Sequence, residues 1–232
     1  MLTKIFCDIA DIKQIRKFYK KTIVKGFTTN PSLMRKAGAK DYKEYSKKIL
    51  KICKNKPISF EVFGDEYETM KNQALKINTW GKNVYVKIPV VNSKGIFTGR
   101  AIKYLNDKNI KLNITAVYNF GQIKKILKNI NKNSKVIISI FVGRMADAGK
   151  DPKSVLIDGI RLSKKYKNVQ ILWASTREAY NYTEATKLGC DIITIPPKII
   201  EIIEKFGKTT RKLTIDTVKG FLKDSKRSKF KI

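Results

Sequence analysis

The chain has 232 residues, 42% apolar and 30% charged, a globular balance that excludes collagen-like and wholly disordered chains and suffices for one sizeable core. It contains no His, which removes His-ligated zinc, imidazole proton shuttles and Ser-His-Asp or Cys-His nucleophiles, and its three Cys form no C-x-x-C pair. The formal charge of +31 is mostly Lys spread over every segment, concentrated only near residues 223–231, so it licenses weak, salt-sensitive attraction to polyanions and no specific nucleic-acid site.

Short apolar runs alternate with longer amphipathic ones along the whole chain. Strands are predicted at 4–8, 23–28, 58–63, 84–88, 111–115, 136–141, 169–174 and 191–195. Helices are predicted at 12–20, 41–54, 66–78, 95–107, 119–131, 152–166, 177–187 and 197–206, with a further one at 214–223. Strand–helix units joined by short links imply a parallel sheet, because parallel neighbours need a crossover. Eight such units favour a closed (β/α)8 barrel over an open sheet. One domain is expected over 1–232, with the extra helix and a basic tail from about residue 210. No apolar stretch approaches the ~18 residues of a membrane span. An acidic residue as early as Asp8 argues against a secretory signal, so a cytoplasmic protein without membrane partners is expected.

Strand side chains alternate between faces. In Val84–Ile88 the apolar residues share one face and Tyr85 and Lys87 the other. Ser59 and Glu61, Asn113 and Thr115, and Phe6 and Asp8 are likewise set apart from apolar neighbours. The apolar faces should meet the helices and the polar faces the barrel interior. Polar residues near strand C-termini then converge at the end of a barrel where chemistry is usually placed.

Lys87 is the central candidate: burial disfavours an ammonium, and a neutral amine can attack a carbonyl to form a Schiff base. The alternative is a strand-edge lysine whose amine snorkels to solvent. Asp8 and Glu61 suit a glycosidase pair in type, but a lysine between them would hold both ionised and leave no acid; a buried charge network is the structural alternative. Thr28-Thr29-Asn30-Pro31-Ser32 closes the second strand, either as plain turn chemistry opening a helix at Pro31 or as hydroxyl and amide groups that grip a sugar. Arg144 follows the sixth strand, and Ser175 and Arg177 follow the seventh and open its helix, an arrangement suited to phosphate.

These segments resemble the transaldolase family. The likeness runs from about Leu2 to Leu222. It is carried by Phe6-Cys7-Asp8 with Asp11, the Thr28–Ser32 string, Val86-Lys87-Ile88-Pro89, Asn113-Ile114-Thr115, Phe141-Val142-Gly143-Arg144 and Ala174-Ser175-Thr176-Arg177. It implies a metal-free, cofactor-free (β/α)8 barrel with a Schiff-base lysine on the fourth strand. The length resembles the short branch that includes fructose-6-phosphate aldolases, whereas Glu61, Asn113 and Phe141 are the transaldolase-type residues where aldolases carry Gln, a non-Asn residue and Tyr.

By this resemblance Lys87 forms the imine with sedoheptulose 7-phosphate or fructose 6-phosphate, Asp8 takes the C4 hydroxyl proton, and Glu61 works through a water positioned by Thr115. Thr29, Asn30, Asn113, Ser139 and Phe141 would surround the dihydroxyacetone unit, and Arg144, Ser175 and Arg177 would hold the phosphate. The implied pathway is the pentose phosphate pathway, and the implied partner is a second copy of the chain, in a pentamer or decamer. A fructose-6-phosphate aldolase, and a basic barrel that binds nucleic acid or another polyanion, are the alternatives.

Overall fold

The computed structural model describes residues 2–228; the end of the expected basic tail, 229–232, lies outside the described residues. Eight parallel strands close in sequence order into a barrel: β1 (Lys4–Asp8), β2 (Val24–Thr28), β3 (Ile58–Glu61), β4 (Val84–Pro89), β5 (Leu112–Val117), β6 (Val136–Ile140), β7 (Val169–Trp173) and β8 (Ile192–Ile195). β1 pairs with both β2 and β8, so no sheet edge is left open. Among the described residues eleven helices accompany them: α1 (Ile12–Tyr19), α2 (Pro31–Lys36), α3 (Tyr42–Ile52), α4 (Tyr67–Asn78), α5 (Gly99–Asp107), α6 (Phe120–Lys128), α7 (Val142–Asp147), α8 (Lys153–Ser163), α9 (Tyr180–Leu188), α10 (Pro197–Ile203) and α11 (Thr210–Ser228). None is long and apolar enough to cross a membrane among the described residues.

Local chemistry explains where the helices begin. Asp11, Asn30 and Asp41 accept the backbone N–H three residues on, Pro31 sits at the first position of α2, and Asn119 with Gln122 forms a reciprocal capping box. Each cap is worth about 0.5–2 kcal/mol against Ala.

Two apolar regions hold the barrel. The larger packs the outward strand faces, such as Ile5, Phe27, Val86 and Ile138, against the helices. The smaller lies inside and joins Phe6, Tyr85, Ile137, Leu172, Ala174 and Ile192. The expected parity therefore holds, with one refinement: the interior is layered, apolar below and polar above. Phe6 and Asp8 stand two residues apart on β1, as do Tyr85 and Lys87 on β4. Gly26 completes the plug, because a Cβ there would lie 2.6 Å from the Phe6 ring.

Three helical expectations are corrected. The helix predicted from Gly95 begins at Gly99, because Asn92 Oδ1 accepts the Lys94 and Ile96 N–H groups and folds residues 92–97 into a turn with Gly95 at φ +78°. The helix predicted from Arg177 begins at Tyr180, which leaves Ser175 and Arg177 in a loop. The sixth strand ends at Ile140, and Phe141 is the N-cap of α7, a helix absent from the sequence reading.

Candidate active site

The strand C-termini ring a cavity of about 210 Å³. Its wall includes Asp8, Lys87, Thr115 and Asn30, with Asn113 and Ser139 deeper and Phe141, Arg144, Ser175 and Arg177 at the β6 and β7 side. Ten of the twelve expected site residues thus face one space. Glu61 and Thr29 reach it through Lys87, whose amine lies 3.2 Å from Glu61 Oε2 and donates to the Thr29 carbonyl at 3.2 Å. Lys87 is only 7% exposed, so the snorkelling alternative does not describe it. Backbone bonding fixes this neighbourhood, since Glu61 and Lys87 are direct partners in the β3–β4 register and Tyr42 Oη both accepts from the Glu61 N–H and donates to its carbonyl.

Thr29 does not present its hydroxyl to the mouth as expected. Its Oγ1 donates to the Ser59 carbonyl at 2.8 Å. Thr28, on the inward face of β2, occupies the pocket wall instead. Its Oγ1 donates to Asp8 Oδ1 at 2.7 Å and lies 2.5 Å from Thr194 Oγ1. When ionised, Asp8 can only accept; Thr28 then spends its single proton there and Thr194 donates to Thr28. This hydroxyl chain was missed in the sequence. Thr194 is the lone polar residue of Ile192–Ile195, and the alternation argument applied to β8 would have found it.

A second polar chain crosses the floor. Ser139 Oγ donates to Asn113 Oδ1 at 2.7 Å, and Asn113 Nδ2 donates to Ser59 Oγ at 2.9 Å. Asn30 Oδ1 is spent on the cap of α2, which leaves its Nδ2 donor for the pocket. Thr115 Oγ1 is buried without a hydrogen-bond partner. The next residue, Ala116, has φ +59° at an irregularity in the β5–β6 pairing. A left-handed non-glycine residue carries strain, and a bulge re-aims neighbouring side chains.

Burial pushes Asp8 above the ordinary carboxylate range, outweighing the Thr28 hydrogen bond and the Lys87 charge that pull it down. Arg177 is clasped by Asp147 of α7, its Nε 3.0 Å from both carboxylate oxygens. Arg144 lies over the Phe141 ring, 5.3 Å from its centre. Gly143 lets the two loops meet, because a Cβ there would lie 1.6 Å from the Ser175 carbonyl oxygen. Ser175 itself has φ +67°. No group of three or more His, Cys, Asp or Glu among the described residues is placed to hold a metal.

The cavity is lined by a buried lysine, one carboxylate and two arginines, with a second carboxylate, Glu61, paired to the lysine. Residues 5–232 match the family described as Transaldolase/Fructose-6-phosphate aldolase. A protein of Thermoplasma volcanium named probable transaldolase is 36% identical over 97% of this chain and 96% of its own length. One of Bacteroides thetaiotaomicron with the same name is 33% identical over 97% and 98%. Among solved structures, N-acetylneuraminate lyase from Mycoplasma synoviae superposes with a TM-score of 0.56 at 13% identity, covering 83% of this chain and 69% of the lyase. Orotidine 5'-monophosphate decarboxylase from Metallosphaera sedula gives 0.54 at 12%, covering 88% and 97%. These last two share the barrel alone. The chain belongs to the transaldolase/fructose-6-phosphate aldolase family and is an aldolase-type enzyme.

Proposed function

We propose that the protein is a transaldolase that carries a dihydroxyacetone unit on Lys87. The observation that carries this reading is the Lys87 amine: buried at the floor of a polar pocket, 3.2 Å from Glu61, with Asp8 in the same wall and Arg144 and Arg177 at the rim. Burial and a polar frame suit an amine that must attack a carbonyl, and the iminium that follows is the electron sink for carbon–carbon cleavage.

In this reading Lys87 adds to C2 of fructose 6-phosphate or sedoheptulose 7-phosphate. Glu61 passes protons to and from the C2 oxygen through a water held by Thr115, and that oxygen leaves as water. Asp8 takes the C4 hydroxyl proton while the C3–C4 electron pair moves into the iminium, releasing the first aldehyde. Its raised affinity for protons suits a base that must accept one and return it. The enamine then adds to erythrose 4-phosphate or glyceraldehyde 3-phosphate, Asp8 returns the proton, and water frees Lys87. Asn30, Asn113 and Ser139 hold the hydroxyls of the three-carbon unit, and Arg144, Ser175 and Arg177 hold the phosphate. The reaction belongs to the pentose phosphate pathway.

Glu61, Asn113 and Phe141 favour transfer over release of free dihydroxyacetone. The test is turnover of fructose 6-phosphate with and without erythrose 4-phosphate. Transfer requires the acceptor and yields sedoheptulose 7-phosphate; equal consumption without an acceptor, with free dihydroxyacetone as product, would make the protein an aldolase.

The reading includes a homo-oligomer in a reducing cytoplasm. Supporting it, α11 exposes Leu213, Val218, Phe221 and Leu222 and buries nothing. The three cysteines are unpaired and buried, their thiols pushed up by burial. Sedimentation of the full chain should show a species several times the 26.6 kDa protomer.

A further inference from the structure

At the opposite end of the barrel lies a second cavity of about 810 Å³, within the ~300–1,000 Å³ range of small-molecule sites. Five lysines line it, Lys4, Lys25, Lys132, Lys135 and Lys167, against a single acid, Asp191. Phe6 and Tyr85 lie at its inner end, two residues below Asp8 and Lys87 on the same strands.

Strand geometry puts the charges there. The two-residue period that sends Asp8, Thr115 and Ser139 into the upper pocket runs back to Lys4, Lys111 and Lys135 at the lower rim. A lysine stands at or within two residues of the start of seven strands: Lys4, Lys25, Lys56, Lys82, Lys111, Lys135 and Lys167. Only β8 is preceded by an acid, Asp191.

Some lysines elsewhere are paired with acids. On the flank of the barrel Lys17 pairs with Glu201 and Lys21 with Glu204. None of the five cavity lysines enters an ion pair among the described residues. Asp191, whose Oδ2 accepts the Ile171 N–H at 2.8 Å, supplies one negative charge against the five. Two neighbours are engaged: Lys56 donates to the Tyr19 and Lys21 carbonyls, and Lys111 donates to the Lys82 carbonyl and lies over the Tyr85 ring. Lys56 and Lys111 both have amines pushed down, first by burial and then by the charges of Lys25 and Lys135 respectively. The rim therefore carries like charges close enough to repel, in a concave site where an anion would relieve them.

We propose that the cavity at the N-terminal end of the barrel binds a linear polyphosphate, either free or as the phosphate tail of a nucleotide. Several ammonium groups around one recess match a ligand with several adjacent phosphates better than a single phosphate. The Phe6–Tyr85 layer closes the recess from the catalytic pocket, so the two sites fill independently.

The test is calorimetry on the full chain at about 150 mM salt, where exposed, unspecific charge attraction is largely screened. Inorganic tripolyphosphate and ATP are titrated in separate runs, with inorganic phosphate as the single-phosphate comparison. The expected result is saturable binding of tripolyphosphate at one site per chain and much weaker binding of phosphate. Tighter binding of ATP would identify the nucleotide as the source. K135Q/K167Q should weaken binding by about tenfold or more. K48Q/K51Q, with the same loss of charge on the exposed face of α3, should change it less than about twofold.

Saturating sugar phosphate should leave binding unchanged. Equal losses in both double variants would reduce the site to the general field of the chain, and displacement by sugar phosphate would place the ligand in the catalytic pocket. Binding of RNA without saturable binding of tripolyphosphate would show a nucleic-acid surface. Each of these results overturns the proposal. Unchanged turnover of K135Q/K167Q confirms that the variant is folded.

Discussion

Gly143→Ala tests whether the contact between the β6 and β7 loops sets the phosphate grip. Gly143 is in α7 with ordinary helical backbone, so alanine causes no dihedral strain; the obstacle is space. Its Cβ would sit 1.6 Å from the Ser175 oxygen, and real Cβ contacts essentially never fall below 3.0 Å. The loops must part by the difference, about 1.4 Å, and a hydrogen bond of ~2.9 Å lengthened by that much is lost. The lining that parts is Arg144 on one side and Ser175 and Arg177 on the other. Losing one charged hydrogen bond to phosphate, ~1.5–3 kcal/mol, should cut kcat/KM roughly ten- to hundredfold. The same clash should cost about 1–3 kcal/mol of stability, read from denaturant midpoints. Steady-state rates on fructose 6-phosphate and on unphosphorylated fructose, with one acceptor, separate the effects. The loss should fall on the phosphorylated donor, chiefly in KM. Unchanged kinetics on both donors, with the fold intact, would refute the claim that this contact positions the grip.

Asp8→Asn should abolish turnover and yet raise the melting temperature at pH 7. Folded Asp8 holds its proton more tightly than the unfolded chain does, so the wild-type protein loses stability as pH rises from the ordinary carboxylate range through the raised value. The advantage of the variant should vanish below roughly pH 4, and an advantage independent of pH would show that ionisation is not its cause. Arg177→Ala should raise KM for phosphorylated donors by about tenfold or more; equal losses on unphosphorylated donors would reduce Arg177 to its clasp with Asp147. Phe141→Tyr should raise acceptor-free cleavage of fructose 6-phosphate while transfer falls, because a phenol can hold a water and supply the proton that releases dihydroxyacetone. An unchanged ratio would make Phe141 a filler beside Tyr118.

What the sequence disclosed divides along physical lines. Strands of period two, interrupted by amphipathic runs, revealed the barrel, and the same alternation turned Asp8, Lys87, Asn113, Thr115 and Ser139 inward. The errors lie where the period stops. At the end of β2 the expected site residue was Thr29, whereas Thr28 is the one that faces the pocket. Beyond β6 and β7 there was no period to follow, so α7 was missed and α9 was started early. Apart from the Lys87–Glu61 pair, pairings between distant residues were illegible. Asp147 engages Arg177 thirty residues on, and Thr194 supports Thr28 from the far end of the chain. The proton affinity of Asp8 depended on how deeply its surroundings bury it, which spacing does not encode.

Borohydride trapping is the most direct test of the covalent role of Lys87. The protein is incubated with fructose 6-phosphate, reduced, digested and mapped by mass spectrometry. The account predicts one stable dihydroxyacetone-derived addition, on the peptide containing Lys87. It also predicts that Lys87→Ala loses both the adduct and transfer, and that Lys87→Arg does not restore them, since a guanidinium stays protonated. An adduct on another lysine, or no adduct with a preparation that turns over, would contradict it.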